Sequence, residues 1–186
     1  MTCGHVASKG DLVISKGQSV GTATYSFDPF SLPGVIPPSI CRPNSPGVSR
    51  LDMALVEIAS APSIKNILTN NGAVIQSGDL IEMRANGSSH SYEVGGVVIT
   101  FKIHGKCFDR LFEVRPRRSS LLSPLANAAF ARMPAPGDSG AWFNLAGTMT
   151  WCGMLIAGEP LMAYALEADD LVVEANRAFS LDLELS

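Results

Sequence analysis

The sequence predicts an all-β protein that ends in one helix. Short apolar runs punctuated by Gly, Pro, Asn and Ser recur along most of the chain, the pattern of strands in barrels or sandwiches. Apolar spacing of helical period is scarce until the last twenty residues. With 186 residues and 46% apolar content, the chain can bury a substantial core in one or two small lobes.

Taken in order, Asp11–Ser15 and Val20–Phe27 read as strands around Lys16-Gly17. Residues 29–48 hold Pro29, Pro33, Pro37, Pro38, Pro43 and Pro46, so a long irregular loop is expected there. Leu51–Ala59 reads as a strand that returns to the core. Residues 60–78 read as a crossing between lobes, with a turn at Asn70-Asn71-Gly72. Strands follow at Leu80–Ala85, Ser91–Ile103 and Phe108–Arg115, separated by turns at Asn86-Gly87 and His104-Gly105. Ala128–Met133 leads into a glycine-rich loop. Ala141–Leu145, Thr150–Ile156 and Leu161–Leu166 complete the strands. In Ala168–Phe179, the residues Leu171, Val172, Ala175, Ala178 and Phe179 recur at helical spacing.

Charge and hydropathy narrow the function classes. A net charge of −3 argues against general affinity for nucleic acid or an anionic membrane surface. Arg115-Pro116-Arg117-Arg118 reads as an exposed loop. No apolar run is long enough to span a membrane, and no secretory signal precedes the first motif. The cysteines and histidines lack the close spacing of a metal site, so no metal or cofactor is expected.

Chemistry concentrates at Gly137-Asp138-Ser139-Gly140. Flanking glycines let the backbone fold tightly around a hydroxyl and aim N–H groups at one point. The same residues suit an ordinary hairpin loop, so the motif acquires meaning only with a base for Ser139. The histidines are His5, His90 and His104, all upstream. A lipase or esterase elbow needs its histidine after the serine and is excluded by this order. His90 sits in the polar stretch Ser88-Ser89-His90-Ser91, and His104 stands beside Gly105; both read as solvated turn residues. His5 follows the small residues Thr2-Cys3-Gly4, and Asp52 opens the apolar run Asp52-Met53-Ala54-Leu55-Val56-Glu57-Ile58. Trp142 and Trp151 read as core packing.

A small-residue run ending in His, an Asp followed by an apolar strand, and Gly-Asp-Ser-Gly, in that order, resemble the motifs of the chymotrypsin/trypsin-like serine proteases. The resemblance spans nearly the whole chain. It implies two antiparallel β-barrel lobes of the chymotrypsin type followed by a C-terminal helix. Residues 1–62 would form the first lobe, carrying His5 and Asp52, and residues 63–186 the second, carrying Ser139. The family has several strands ahead of its histidine, so with His5 this near the start the first lobe is expected to be incomplete, as in an N-terminally shortened chain. The resemblance also implies a polypeptide substrate, His5 as general base, Asp52 as its orienting carboxylate, Ser139 as nucleophile, and the N–H groups of Gly137 and Ser139 as the oxyanion hole.

By the same resemblance, Met133 lies at the floor of the primary substrate pocket, walled by Ile156, Ala157, Gly158 and Met162. Without an acidic floor, a small or apolar substrate side chain is expected rather than Arg or Lys. Two residues depart from the family pattern. Ile156 stands where a serine hydroxyl usually supports the catalytic aspartate, and Ala141 replaces the customary second glycine. The family's disulfide framework is also absent, since Val6 rather than a cysteine follows His5, and this favours a reducing, intracellular compartment. Serine endopeptidase activity is the expected function; a catalytically impaired relative that persists as a binding or regulatory module is the alternative.

Overall fold

In the computed structural model, residues 1–15, 18–31, 40–45, 47–58, 74–85, 88–117, 133–135 and 137–183 are described. Their strands fall into two sheets. Strands β1 (Leu12–Ser15), β2 (Gln18–Phe27) and β4 (Met53–Ile58) form an open antiparallel sheet in the order β1-β2-β4. Thr2 extends its far edge by exchanging two backbone hydrogen bonds with Ala54, of 3.0 and 2.7 Å. Among the described residues this sheet stays open and does not close into a barrel.

The second lobe closes on itself. Strands β5 (Leu80–Ala85), β6 (Ser88–Val94), β8 (Lys106–Pro116), β9 (Trp142–Leu145), β10 (Trp151–Gly158) and β11 (Ala163–Glu167) run in the order β11-β10-β9-β5-β6-β8. Pairing of β11 with β8 then completes a six-stranded antiparallel barrel. Closure leaves this ring no free edge, the usual liability of an open sheet. Strand β7 (Ile99–Ile103) folds back on β8 through His104-Gly105, whose positive φ angles of 44° and 83° fit the two-residue hairpin turn expected there.

Alternation along the barrel strands separates two cores. On β11, Ala163 and Ala165 point into the barrel with Phe112, Val114, Phe143 and Leu155, while Tyr164 and Leu166 face outward. The outward set meets Met53, Phe108, Trp151 and helix α1 (Ala168–Phe179). Strand β10 is buried on both faces from Trp151 to Ala157, which is why its sequence reads as an unbroken apolar run rather than an alternation. The helix presents Ala168, Leu171 and Ala175 to this outer core, and its Asp169 and Asp170 sit in the first turn where the helix dipole favours anions. Ala178, expected on the packed face, is exposed in the helix's last turn.

Several expectations are corrected. The single strand foreseen over Ser91–Ile103 breaks at Gly95-Gly96 into β6 and β7. Gly95 leaves room for the Arg115 and Glu113 side chains, which form an ion pair on β8, and Gly96 leaves room for Ile99. Arg115 lies in β8, as the strand expected over Phe108–Arg115 has it, and Pro116 ends that strand instead of belonging to a loop. His90 lies within β6, opposite Met83, instead of in a polar turn. Within the proline-rich loop, β3 (Val48–Ser49) pairs in parallel with Cys107 and Phe108 of β8. The turns expected at Lys16-Gly17, Asn70-Asn71-Gly72 and Asn86-Gly87, and the run Ala128–Met133 up to residue 132, lie outside the described residues. Among the described residues, no helix is long and apolar enough to cross a membrane.

Beside β3, a disulfide joins Cys41 to Cys107. Such a bond forms most readily in oxidising surroundings. It closes a loop spanning 66 residues of sequence, for which chain-entropy arguments give about 4 kcal/mol of stabilisation. Denaturant unfolding of the Cys41→Ser variant should show a loss approaching that value; an unchanged midpoint would mean the loop is held by packing alone.

Candidate active site

His5 and Asp52 meet at the seam between the open sheet and the barrel. Cys3 and Gly4 bring the chain off the Thr2–Ala54 pairing into a tight turn, which carries His5 over the start of β4. Asp52, the residue before β4, is fully buried. Its Oδ1 accepts the backbone N–H of His5 at 3.0 Å, and its Oδ2 bonds His5 Nδ1 at 2.5 Å. One carboxylate thus fixes both the main chain and the ring of the same histidine. The bond places the proton on Nδ1 and leaves Nε2 as the acceptor.

Asp52 also sets the basicity of the imidazole. Its hydrogen bond raises the His5 pKa above the ordinary 6.5; partial burial works against this, while the charges of Asp52 and Asp28 reinforce it. The ring stands edge-on to Phe30, with centroids 5.6 Å apart and planes at 88°. Phe30 packs in turn on Phe108 of β8, so an aromatic contact braces the imidazole against the barrel.

Ser139 arrives from the other lobe. Asp138 shapes its loop by accepting the Ala135 N–H on Oδ2 at 2.9 Å while donating its own N–H to the Ala135 carbonyl at 3.0 Å. Gly140 donates to Leu155 O at 2.8 Å, and the Leu155 N–H donates to Ala141 O at 2.9 Å. Gly140 has φ +88°, and a Cβ built there would lie 3.0 Å from the Cys3 nitrogen and closer still to the Thr2 side chain. The serine loop therefore rests directly on the residues that lead into His5. Among the described residues, the N–H groups of Gly137 and Ser139 make no hydrogen bond within the loop. Both residues line one wall of a cavity of about 670 Å³, whose other walls include Thr2, Val6, Ala7, Leu12 and Ile14.

The residues expected to form the primary pocket are mostly packed into the cores. Met133 packs against the barrel core, Ile156 and Ala157 are buried in the outer core, and Met162 accepts a hydrogen bond from the Tyr164 hydroxyl at 3.1 Å. Gly158 lies so close to the Pro134 carbonyl that a Cβ would be 2.7 Å from it.

Two participants escaped the sequence reading. Cys3 is a free, fully buried thiol whose Sγ donates to Leu155 O at 3.1 Å. Burial, then the charge of Asp52 and a hydrogen bond with it, push its pKa well above the ordinary value, so the thiol is neutral. A cysteine two residues before the histidine was its only signal. Phe30 had none, being an aromatic residue in a proline-rich stretch.

This architecture is the chymotrypsin-like fold. The chain superposes along its whole length on a chymotrypsin from Cellulomonas bogoriensis, with 13% identity, a TM-score of 0.57 and 85% of that chain covered. Protease A from Thermobifida fusca matches with 17% identity and a TM-score of 0.58, covering all of this chain and 83% of the other. A glutamic-acid-specific serine protease matches with 16% identity and a TM-score of 0.56, over 96% of this chain and 82% of that one. No protein-family model and no curated protein matches the sequence.

Two predictions follow from this geometry. Gly140→Ala forces a left-handed alanine against Thr2 and Cys3; it should cost about 1–3 kcal/mol in thermal unfolding, and an unchanged stability would mean the loop yields freely. The ring protons of His5, followed by NMR, should titrate with a midpoint above 6.5. Because the Asp52 bond favours the protonated ring, Asp52→Asn should lower that midpoint, and a midpoint unmoved by the substitution would refute the coupling.

Proposed function

We propose that the chain is a serine endopeptidase that works through His5, Asp52 and Ser139. Ser139 Oγ attacks the carbonyl carbon of a peptide bond while His5 Nε2 takes its proton. The imidazolium then gives that proton to the departing amine, leaving an acyl-enzyme. Water, deprotonated by the same nitrogen, hydrolyses the ester and restores the hydroxyl. Asp52 keeps the ring in the Nε2-accepting tautomer and offsets its transient charge. The Gly137 and Ser139 N–H groups face the oxyanion; losing one such donor typically lowers turnover about 100- to 1000-fold.

The observation that carries this reading is the double hydrogen bond from buried Asp52 to His5, set against the Gly-Asp-Ser-Gly loop. A buried carboxylate spent entirely on one histidine has little purpose unless that histidine changes charge. The contact between Gly158 and Pro134 favours substrates with a small side chain before the cleaved bond. The same contact, with Ile156 in place of a hydroxyl, also favours the second reading, a relative of the proteases that binds polypeptide without cleaving it.

Fluorophosphonate labelling separates the two. The probe should attach to Ser139, identified by mass spectrometry of the labelled peptide, and Ser139→Ala should abolish the adduct. A folded protein that takes up no probe would leave only the binding module.

A further inference from the structure

The proposed chemistry leaves the Cys3 thiol unused, although it lies against the two residues on which that chemistry depends. Sγ of Cys3, a ring nitrogen of His5 and a carboxylate oxygen of Asp52 all lie within 4.8 Å of one another. Thiol, imidazole and carboxylate together make the donor set taken by borderline and soft divalent cations such as Zn²⁺ and Cd²⁺. We propose that Cys3, His5 and Asp52 form a capture site for a thiophilic divalent cation, and that its occupancy switches the site off. The inhibitory consequence rests on the reading of His5 as the general base; the ion site itself does not.

The geometry requires only small shifts. Bonds of about 2.0–2.3 Å to a tetrahedral ion place its ligands about 3.5 Å apart. Sγ would close in by up to roughly an ångström, and the Nδ1–Oδ2 pair, now at 2.5 Å, would open by a similar amount. Cys3 gives up its hydrogen bond to Leu155, and its thiol proton leaves to solvent as the sulfur–metal bond forms. Since a buried thiol must be deprotonated at the same moment, only a cation with high affinity for sulfur can enter; Mg²⁺ and Ca²⁺ prefer oxygen ligands and are excluded. The His5 side chain, 26% exposed, provides the way in, whereas Asp52 is sealed.

Inhibition then follows from proton bookkeeping on one ring. Nδ1, which faces Asp52, becomes the metal ligand, and the proton it carried moves through solvent to Nε2. A protonated Nε2 cannot accept the Ser139 proton. The ion also takes the Asp52 oxygen that would stabilise an imidazolium, so both supports of the base are lost together.

The test uses the full chain with its disulfide intact. Cd²⁺ is titrated while the ultraviolet thiolate-to-cadmium charge-transfer band, the His5 ring resonances and fluorophosphonate labelling are followed. Expected are a band saturating at one Cd²⁺ per chain, a matching shift of the His5 resonances, loss of labelling in step, and recovery of all three with EDTA. The Cys152→Ser variant should behave like the unsubstituted protein, because that thiol is buried elsewhere and bonded to Phe143 O. Cys3→Ser should lose the band. Absence of the band in the unsubstituted protein, a band undiminished in Cys3→Ser, or unshifted His5 resonances at saturation would overturn the site. Should Cys3→Ser fail to fold, the unsubstituted protein's His5 resonances still decide the matter. If Ser139 takes no probe even without Cd²⁺, the catalytic reading fails while the band and resonances continue to judge the ion site.

Discussion

The carbonyl oxygen of Leu155 is the point on which the two halves of the site converge. It accepts the Gly140 N–H, which holds the serine loop, and the Cys3 S–H, which holds the strand leading to His5. Two segments with no covalent proximity thereby share one reference atom. That atom belongs to β10, buried on both faces and paired on both edges, so it has little freedom to move. A displacement of either segment must break a hydrogen bond in the protein interior, where an unsatisfied group costs about 1–3 kcal/mol.

Asp52 solves a different problem. A fully buried carboxylate needs compensation, and here both oxygens are engaged by His5, one through the main chain and one through the ring. The Cys3 sulfur lies within 4.8 Å of the carboxylate and of the ring. A polarizable, weakly donating group thus sits beside Asp52. The arrangement leaves Asp52 more dependent on His5, and it is also what gathers three metal-binding atoms at one place.

Much of this was legible in the residues. The helix over Ala168–Phe179 was bounded correctly because its apolar period and its acidic first turn agree. The order His5, Asp52, Ser139 pointed to residues that lie near one seam: His5 bonds Asp52, and the loop that holds Ser139 rests on Thr2 and Cys3. The meeting of His5 with Asp52 could be anticipated from motifs, but their double hydrogen bond could not, since it depends on a turn at Gly4 that only tertiary packing defines. The Cys41–Cys107 pairing and the parallel contact of Val48 with β8 were hidden for a similar reason: partners distant in sequence carry no periodic signal. The close approach of Gly158 to Pro134 depends on where the Pro134 carbonyl points, a main-chain property that side-chain identity does not encode.

The contrast between a sealed ring of strands and an unsealed one gives the molecule two grades of firmness. Every barrel strand in the ring has a neighbour on either side, whereas, among the described residues, β1 has none on its outer edge and Leu12 and Ile14 are exposed. Fluctuations that expose backbone therefore need less free energy on the side that bears the imidazole than on the side that bears the alcohol. On heating, the sheet beside His5 would then loosen first, while the barrel that carries the Ser139 loop is still intact.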